Sequence, residues 1–325
     1  MDEHVQRWLA GRTSDGRRWD RAELVGAKGL LRVDVVLPAR DEEATVGPIV
    51  ERIRRELVTE VPLVDDVVVI DSGSVDATAA VAGAAGARVV RQDRVLPRLG
   101  DVPGKGEALW KSLFATTGDV LVFVDADLRD FDPQFVVGLL GPLLTDPGVD
   151  FVKGLYDRPV STLDHVLPAG GGRVTELVAR PLLGLHWPDL AGFVQPLAGE
   201  YAARRRVLEQ MPFVSGYGVE IGLLIDLLEL VGLDAMAQVD LGARLHRNQD
   251  DFALGRMAAQ IVHTVLLRLE THNRAVLTGR PGSTLTQFRR VGGHYQPYST
   301  EVSVTERPPM SSVPEYRDRF AALGG

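Results

Sequence analysis

Two aspartates, Asp125 and Asp127, close the most hydrophobic run of the chain, VLVFVDADLRD from Val120 to Asp130. A buried strand excludes carboxylates, because an unpaired buried charge is strongly destabilising. In an extended strand, side chains two residues apart face the same way, so the pair would converge on one spot. Converging carboxylates repel unless a cation lies between them. A hard divalent ion that also bridges phosphates, Mg2+ or Mn2+, suits such a pair. The competing reading is an exposed acidic loop, since D-x-D alone is common.

Three other stretches carry usable chemistry. DSGSVDAT places Asp71 at a second strand end, Gly73 in a turn and Ser74 or Asp76 at a helix N-cap. Asp71 and Ser72 could bind a ribose or base there; a plain turn is the alternative. PGKGEALW holds Lys105 between two glycines at the start of a helix. It lacks the P-loop spacing, yet a lysine in such a flexible setting can reach a phosphate or a metal-linked carboxylate. Otherwise it simply faces solvent. In GGGRVTELVARP, Gly170 to Gly172 let the backbone approach a ligand, Arg173 offers a charged fork and Thr175 a hydroxyl. That combination describes an anion site, against the plainer reading of an exposed arginine ahead of a helix. His246, in HRN, is a candidate third ligand for a metal held by carboxylates, although a lone histidine is more often structural.

The elements that must hold these residues read as an α/β fold. Short apolar runs, Arg32 to Ala39, Val67 to Ile70, ARVVRQ and DVLVFVDADL, alternate with helical stretches, RDEEATVGPIVERIRREL among them. Such alternation predicts a mostly parallel sheet covered on both faces, with ligands at the carboxyl ends of the strands. Three strands end there in Pro38–Glu43, Asp71–Ser74 and Asp125–Asp127. Further on, GVDFVKGLYDRP and MAQVDLGARLHRNQ read as strands, VEIGLLIDLLELVGL as a core helix and residues 250–274 as another helix. Residues 1–30 form a helical extension, 31–250 the main domain (nucleotide half 31–130, acceptor half 131–250), and 251–325 a helix and arm.

Composition narrows the field. The chain has 325 residues, 45% hydrophobic, a net charge of −8 and no cysteine. Thiolate metal sites, thiol nucleophiles and disulfides are therefore out, and nothing in the charge balance favours nucleic acid. The charged N-terminus lacks a signal-peptide core and no run is long enough for a membrane helix, so a soluble cytoplasmic protein without membrane contact is expected. A dehydrogenase is disfavoured because the first strand lacks G-x-G-x-x-G. A dehalogenase-type phosphatase needs a threonine two residues after D-x-D, where Arg129 stands, and PARDEEATV is not a nucleotidyltransferase loop.

The ordered set VVLPARDEEATV, VVVIDSGSVDAT, PGKGEALWKSL, VFVDADL, GGGRVTELVARPLL, AGEYAARR, GYGVEIGLLID and LGARLHRN resembles the GT-A glycosyltransferases of family 81, which act on 3-phosphoglycerate. The resemblance covers about residues 32 to 250. It implies a GT-A fold and a retaining transfer of a hexose from a nucleotide sugar to the 2-hydroxyl of 3-phosphoglycerate. It also implies a divalent metal, Mg2+ or Mn2+, and a homodimer in which residues 251–325 could take part. By that likeness Pro38, Ala39, Arg40, Asp41, Glu42, Asp71, Ser72, Lys105, Asp125 and Ala126 hold the nucleotide sugar. Gly172, Arg173, Val174, Thr175 and Asn248 hold the acceptor, and Asp125, Asp127 and His246 the metal. Lys105, Asp127, Tyr217 and Glu220 would stand nearest the chemistry. Glucose-transferring members read NEE where this chain has Asp41-Glu42-Glu43. The extra carboxylate could accept from guanine N1 and N2, which favours GDP-mannose, with UDP-glucose or GDP-glucose as the alternative.

Overall fold

β-Branched apolar runs form the middle of the sheet because both faces there are covered. In the computed structural model, residues 1–157, 160–161, 166–167, 172–243 and 250–323 are described. The first strands are β1 (Thr13–Asp15), β2 (Val33–Ala39), β3 (Asp66–Asp71), β4 (Arg88–Arg91), β5 (Val120–Phe123) and β6 (Phe151–Asp157). Then come the short β7 (Val160–Ser161) and β8 (Val166–Leu167), followed by β9 (Tyr201–Arg204), β10 (Phe213–Val214) and β11 (Met236–Ala243). A single eight-stranded sheet runs in the order β1-β11-β6-β9-β5-β2-β3-β4. Only β9 is antiparallel to its neighbours in it.

Alternation along the strands divides the core in two. Val36, Ile70 and Phe123 face the helices Lys105–Ala115 and Val219–Val231, with Leu109, Leu113 and Leu224 in the same cluster. Val35, Leu37 and Val122 face the helices Val46–Ile53 and Gln134–Thr145 from the other side. Val36 is in register with Phe123 and Ala39 with Asp71, so the carboxyl ends of β2, β3 and β5 lie side by side.

Several boundaries differ from the sequence reading, with consequences for the site. β5 stops at Phe123, so Asp125 and Asp127 stand in the loop beyond it rather than on a strand face. Val124 N still donates to Val36 O at 3.0 Å, and Thr45 Oγ1 then donates to Ala126 O at 2.7 Å. The loop is thus fixed from outside, and strand alternation does not aim the two acids. The first helix after β2 begins only at Val46, with Pro48 in its first turn, where a missing N–H costs little. Arg40 to Thr45 are consequently turn, with Asp41 at φ 57°.

The N-terminal segment holds the helices Glu3–Arg12 and Arg21–Lys28. It also supplies β1, a parallel edge strand on β11, and Trp8 Nε1 donates to Met236 O at 2.8 Å. At the other end, the helix Asp251–Thr271 lies on Val219–Val231 through buried Arg268, whose Nε is 2.7 Å from Asp226 Oδ1. An antiparallel hairpin follows, β12 (Thr284–Val291) with β13 (His294–Glu301). The chain then returns as β14 (Glu306–Arg307), pairs with β10 and ends in the helix Pro314–Leu323. Among the described residues no helix is long and apolar enough to cross a membrane.

Candidate active site

A cavity of about 700 Å³ opens at the carboxyl ends of β2, β3 and β5. Pro38, Ala39, Arg40 and Glu42 line it from β2 and the turn beyond, Ser72 from the turn after β3, and Asp125, Ala126 and Asp127 from the loop after β5. Lys105 enters at the start of its helix. Gly172, Arg173, Val174 and Thr175 also line it, together with Tyr217 and Glu220.

Two of the expected nucleotide residues are not in that lining. Asp41 Oδ1 accepts from Val75 N at 2.8 Å, while Asp41 N donates to Ser74 Oγ at 3.0 Å. Asp71 is buried and accepts from Ser74 N at 3.1 Å. Both carboxylates therefore brace the two adjoining turns. For Asp71 the plain turn reading is the one the geometry follows. His246 and Asn248 lie outside the described residues.

The glycines around Lys105 serve close approach rather than flexibility. Gly106 N donates to Ser215 O at 3.0 Å, and a Cβ at Gly106 would collide with the Val214 carbonyl oxygen. Gly104 has φ 123°, and a Cβ there would strike Ser215 O. The start of the helix is thereby pinned against the 214–216 segment. This fixes where Lys105 points.

Lys105 Nζ sits 2.6 Å from Asp125 Oδ1 and 3.0 Å from Glu220 Oε1. Burial alone would lower its pKa. Asp125 and Glu220, with Glu200 behind them, outweigh that and hold it well above the ordinary lysine range. Beneath the cluster lies a second lysine, Lys153 on β6, only 2% exposed and in register with Tyr201. Its Nζ stands 5.1 Å from the Tyr201 ring centre. Burial pulls the pKa of Lys153 down to about 8, against the attraction of Glu220 and with repulsion from Lys105. Burial likewise raises the Tyr201 phenol. Gly199 completes this corner: a Cβ on it would crowd both Asp125 and Lys105 Nζ.

In the same lining, Gly172 turns the chain at φ 91° and Thr175 is buried at 3% exposure. Arg173 is exposed, and its Nη1 is 2.5 Å from Asp251 Oδ1 at the start of the long helix. Exposed pairs of this kind contribute little, so Arg173 can give up the contact to an anion at low cost.

Asp125 and Asp127 fit a hard divalent cation by donor chemistry and by their place at the cavity edge. Among the described residues no group of three or more side chains of ligand type gathers around them. The third ligand implied by the family resemblance, His246, lies outside those residues.

Sequence reasoning missed Gln92, Asp101, Gly199, Leu254, Met257 and Ile261, all of which line the cavity, and the buried Glu200 and Lys153. Gly199 and Glu200 belong to AGEYAARR, where a glycine and an acid ahead of an apolar strand repeat the signal seen at Asp125. Leu254, Met257 and Ile261 recur at helical spacing, which marks a buried face without saying what covers it.

Comparison with known proteins agrees with this fold. The family model described as Glycosyl transferase family 2 matches residues 34–167. Glucosyl-3-phosphoglycerate synthase of Mycolicibacterium smegmatis is 48% identical over 307 residues, 94% of this chain and 98% of the relative. The enzyme of the same name from Petrotoga mobilis is 43% identical and covers 90% of each chain. Mannosyl-3-phosphoglycerate synthase from Rubrobacter xylanophilus superimposes with a TM-score of 0.87 at 40% identity, over 95% of this chain and 98% of that one. Glucosyl-3-phosphoglycerate synthase from Mycobacterium tuberculosis, solved with Mn2+, UDP and phosphoglyceric acid, gives 0.79 at 47% identity, over 90% and 95%. Identity of this order across nearly whole chains shows that the protein belongs to the glucosyl- and mannosyl-3-phosphoglycerate synthase family of GT-A glycosyltransferases, family 81.

Proposed function

We propose that this enzyme transfers glucose from UDP-glucose to the 2-hydroxyl of 3-phosphoglycerate, with retention at the anomeric carbon. The observation that supports the reading is one cavity lined both by the D-x-D loop with Lys105 and by Gly172 to Thr175. In it, Ser72 faces the base and Pro38, Ala39 and Glu42 flank the nucleoside. Asp125 and Asp127 hold the divalent metal, Mg2+ or Mn2+, with His246 as third ligand. When bound, the metal neutralises the diphosphate that leaves. Lys105 adds a fixed positive charge beside that group, and Glu220 and Asp125 keep it protonated and aimed. Arg173 and Thr175, with Asn248, orient the acceptor by its phosphate and carboxylate, so that its 2-hydroxyl meets the sugar under Tyr217. A homodimer using the 251–325 segment and a cytoplasmic setting belong to the same proposal.

Glucose and uracil are favoured here over the mannose and guanine expected from sequence. The case for guanine rested on Asp41, whose carboxylate is engaged by Val75 N and absent from the cavity lining. GDP-mannose is the second reading, supported by the TM-score of 0.87 to the Rubrobacter mannosyl enzyme.

The deciding experiment offers UDP-glucose, GDP-glucose and GDP-mannose with 3-phosphoglycerate and Mg2+, reading product by mass. UDP-glucose should give the highest kcat/KM. A larger value for GDP-mannose would replace the donor assignment, and transfer from none of the donors would end the whole reading. Arg173→Ala should raise the KM for 3-phosphoglycerate about tenfold or more, the scale of one charge-assisted hydrogen bond, with the donor KM little changed. An unchanged acceptor KM would remove Arg173 from the acceptor site.

A further inference from the structure

Behind Ser72 the cavity wall holds a run of polar side chains that the proposed transfer does not use. Gln92, 2% exposed, lines the cavity beside Ser72 and Asp101. Its Nε2 donates to Asp101 Oδ1 at 2.9 Å and to Val102 O at 3.3 Å. A carboxylate and a carbonyl only accept, so the amide nitrogen must face them and the amide oxygen must face away. That oxygen lies 2.8 Å from Ser72 Oγ and takes the serine proton.

The arrangement is anchored from further back. Lys111, fully buried, donates to Asp101 Oδ1 at 2.7 Å and to Gln92 O at 3.0 Å. It also pairs with Glu107 at 3.2 Å, and Arg307 of β14 grips Glu107 through two bonds of 2.7 Å. Every proton from Lys111 outward therefore has one direction. Ser72 is left to meet a ligand with lone pairs only.

We propose that Gln92 sets base selectivity by turning Ser72 into a pure hydrogen-bond acceptor. Such a hydroxyl favours a base with a ring N–H on its pairing edge, N3–H of uracil or N1–H of guanine. It disfavours cytosine and adenine, whose corresponding ring nitrogen is itself an acceptor. The inference rests on the reading above that the base lies against Ser72. Gln92 is a positioning residue, acting through the serine.

Binding of UDP, GDP, CDP and ADP to the full chain with Mn2+, measured by calorimetry, tests this without sugar transfer or acceptor. The better bound of UDP and GDP should exceed both CDP and ADP by about tenfold or more in the wild type. Gln92→Met frees the Ser72 hydroxyl to rotate and should shrink that ratio to about threefold or less. Ser72→Ala should do the same, and the double variant should add nothing to Ser72→Ala, because the two side chains act as one unit. A wild type without preference, a preference that survives Gln92→Met, or additive effects in the double variant would overturn the proposal. If Gln92→Met does not fold, a preference retained in Ser72→Ala overturns it equally. Absence of transfer to 3-phosphoglycerate would leave these binding ratios standing, so the two readings fail separately.

Discussion

Lys105→Met should lower kcat/KM by about 1000-fold, a loss of about 4 kcal/mol in transition-state stabilisation. Methionine keeps the volume of the stem and removes the cation. Asp125 and Glu220, which stand 2.6 and 3.0 Å from Nζ, then face each other without it. Removing one partner of a fully buried pair costs about 3–5 kcal/mol in stability. Here 28% of the lysine side chain remains exposed, and solvent reduces that to a smaller figure. The variant should therefore fold with a Tm only a few degrees lower. Its catalytic loss comes from the missing charge beside the diphosphate that leaves in the proposed transfer. Lys105 Nζ competes with a cation for Asp125 Oδ1, so the Mg2+ concentration needed for half-maximal rate should not rise in the variant. Steady-state kinetics with a Mg2+ titration, beside a thermal melt, separate these effects. A variant within about tenfold of wild-type kcat/KM would make the cluster structural only.

The central strands and the helices between them were readable from the sequence because their signals are local. Apolar β-branched runs of four to seven residues, set between amphipathic stretches, leave few alternatives to a covered parallel sheet. Much of the cavity lining was readable for the same reason: polar residues stood at ends of buried strands, and the fold brings those ends together. What stayed hidden depends on contacts distant in sequence. β1 is three residues long and exists because β11 offers it an edge. The turn that occupies Asp41 is made by Ser74 and Val75, more than thirty residues further on, so the guanine argument drawn from a neighbouring acid could not be checked locally. Gln92 follows a short strand and carries no motif; only Ser72, Asp101 and Lys111 around it give it a role to argue. The glycines of PGKG were visible, while their cause, the carbonyls of Val214 and Ser215, was not.

Lys153 shows how closely charge is balanced under the cavity, and it yields the second large expected effect. The cluster there sets Lys105 and Lys153 against Asp125, Glu200 and Glu220. Lys105 holds the position in contact with the acids, and Lys153 is left against the faces of Tyr201 and Phe151. Its pKa falls from the ordinary 10.5 to about 8, with burial as the largest cause. Between those two values the unfolded chain carries a proton that the folded protein has released. Stability from this group therefore rises as pH climbs from about 8 towards 10.5, and is lost as pH falls through 8. The full change is on the order of 3 kcal/mol. Methionine at this position fills the same space and titrates nowhere. The unfolding free energy of the wild type, measured in urea at steps from pH 7 to 10, should thus gain on that of Lys153→Met across the window by up to about that amount. At pH 7 the variant should be the more stable of the two by comparison with pH 10. A difference that stays flat across the window would mean that Lys153 keeps its proton in the fold, and that the acids beside Lys105 share their charge with both lysines.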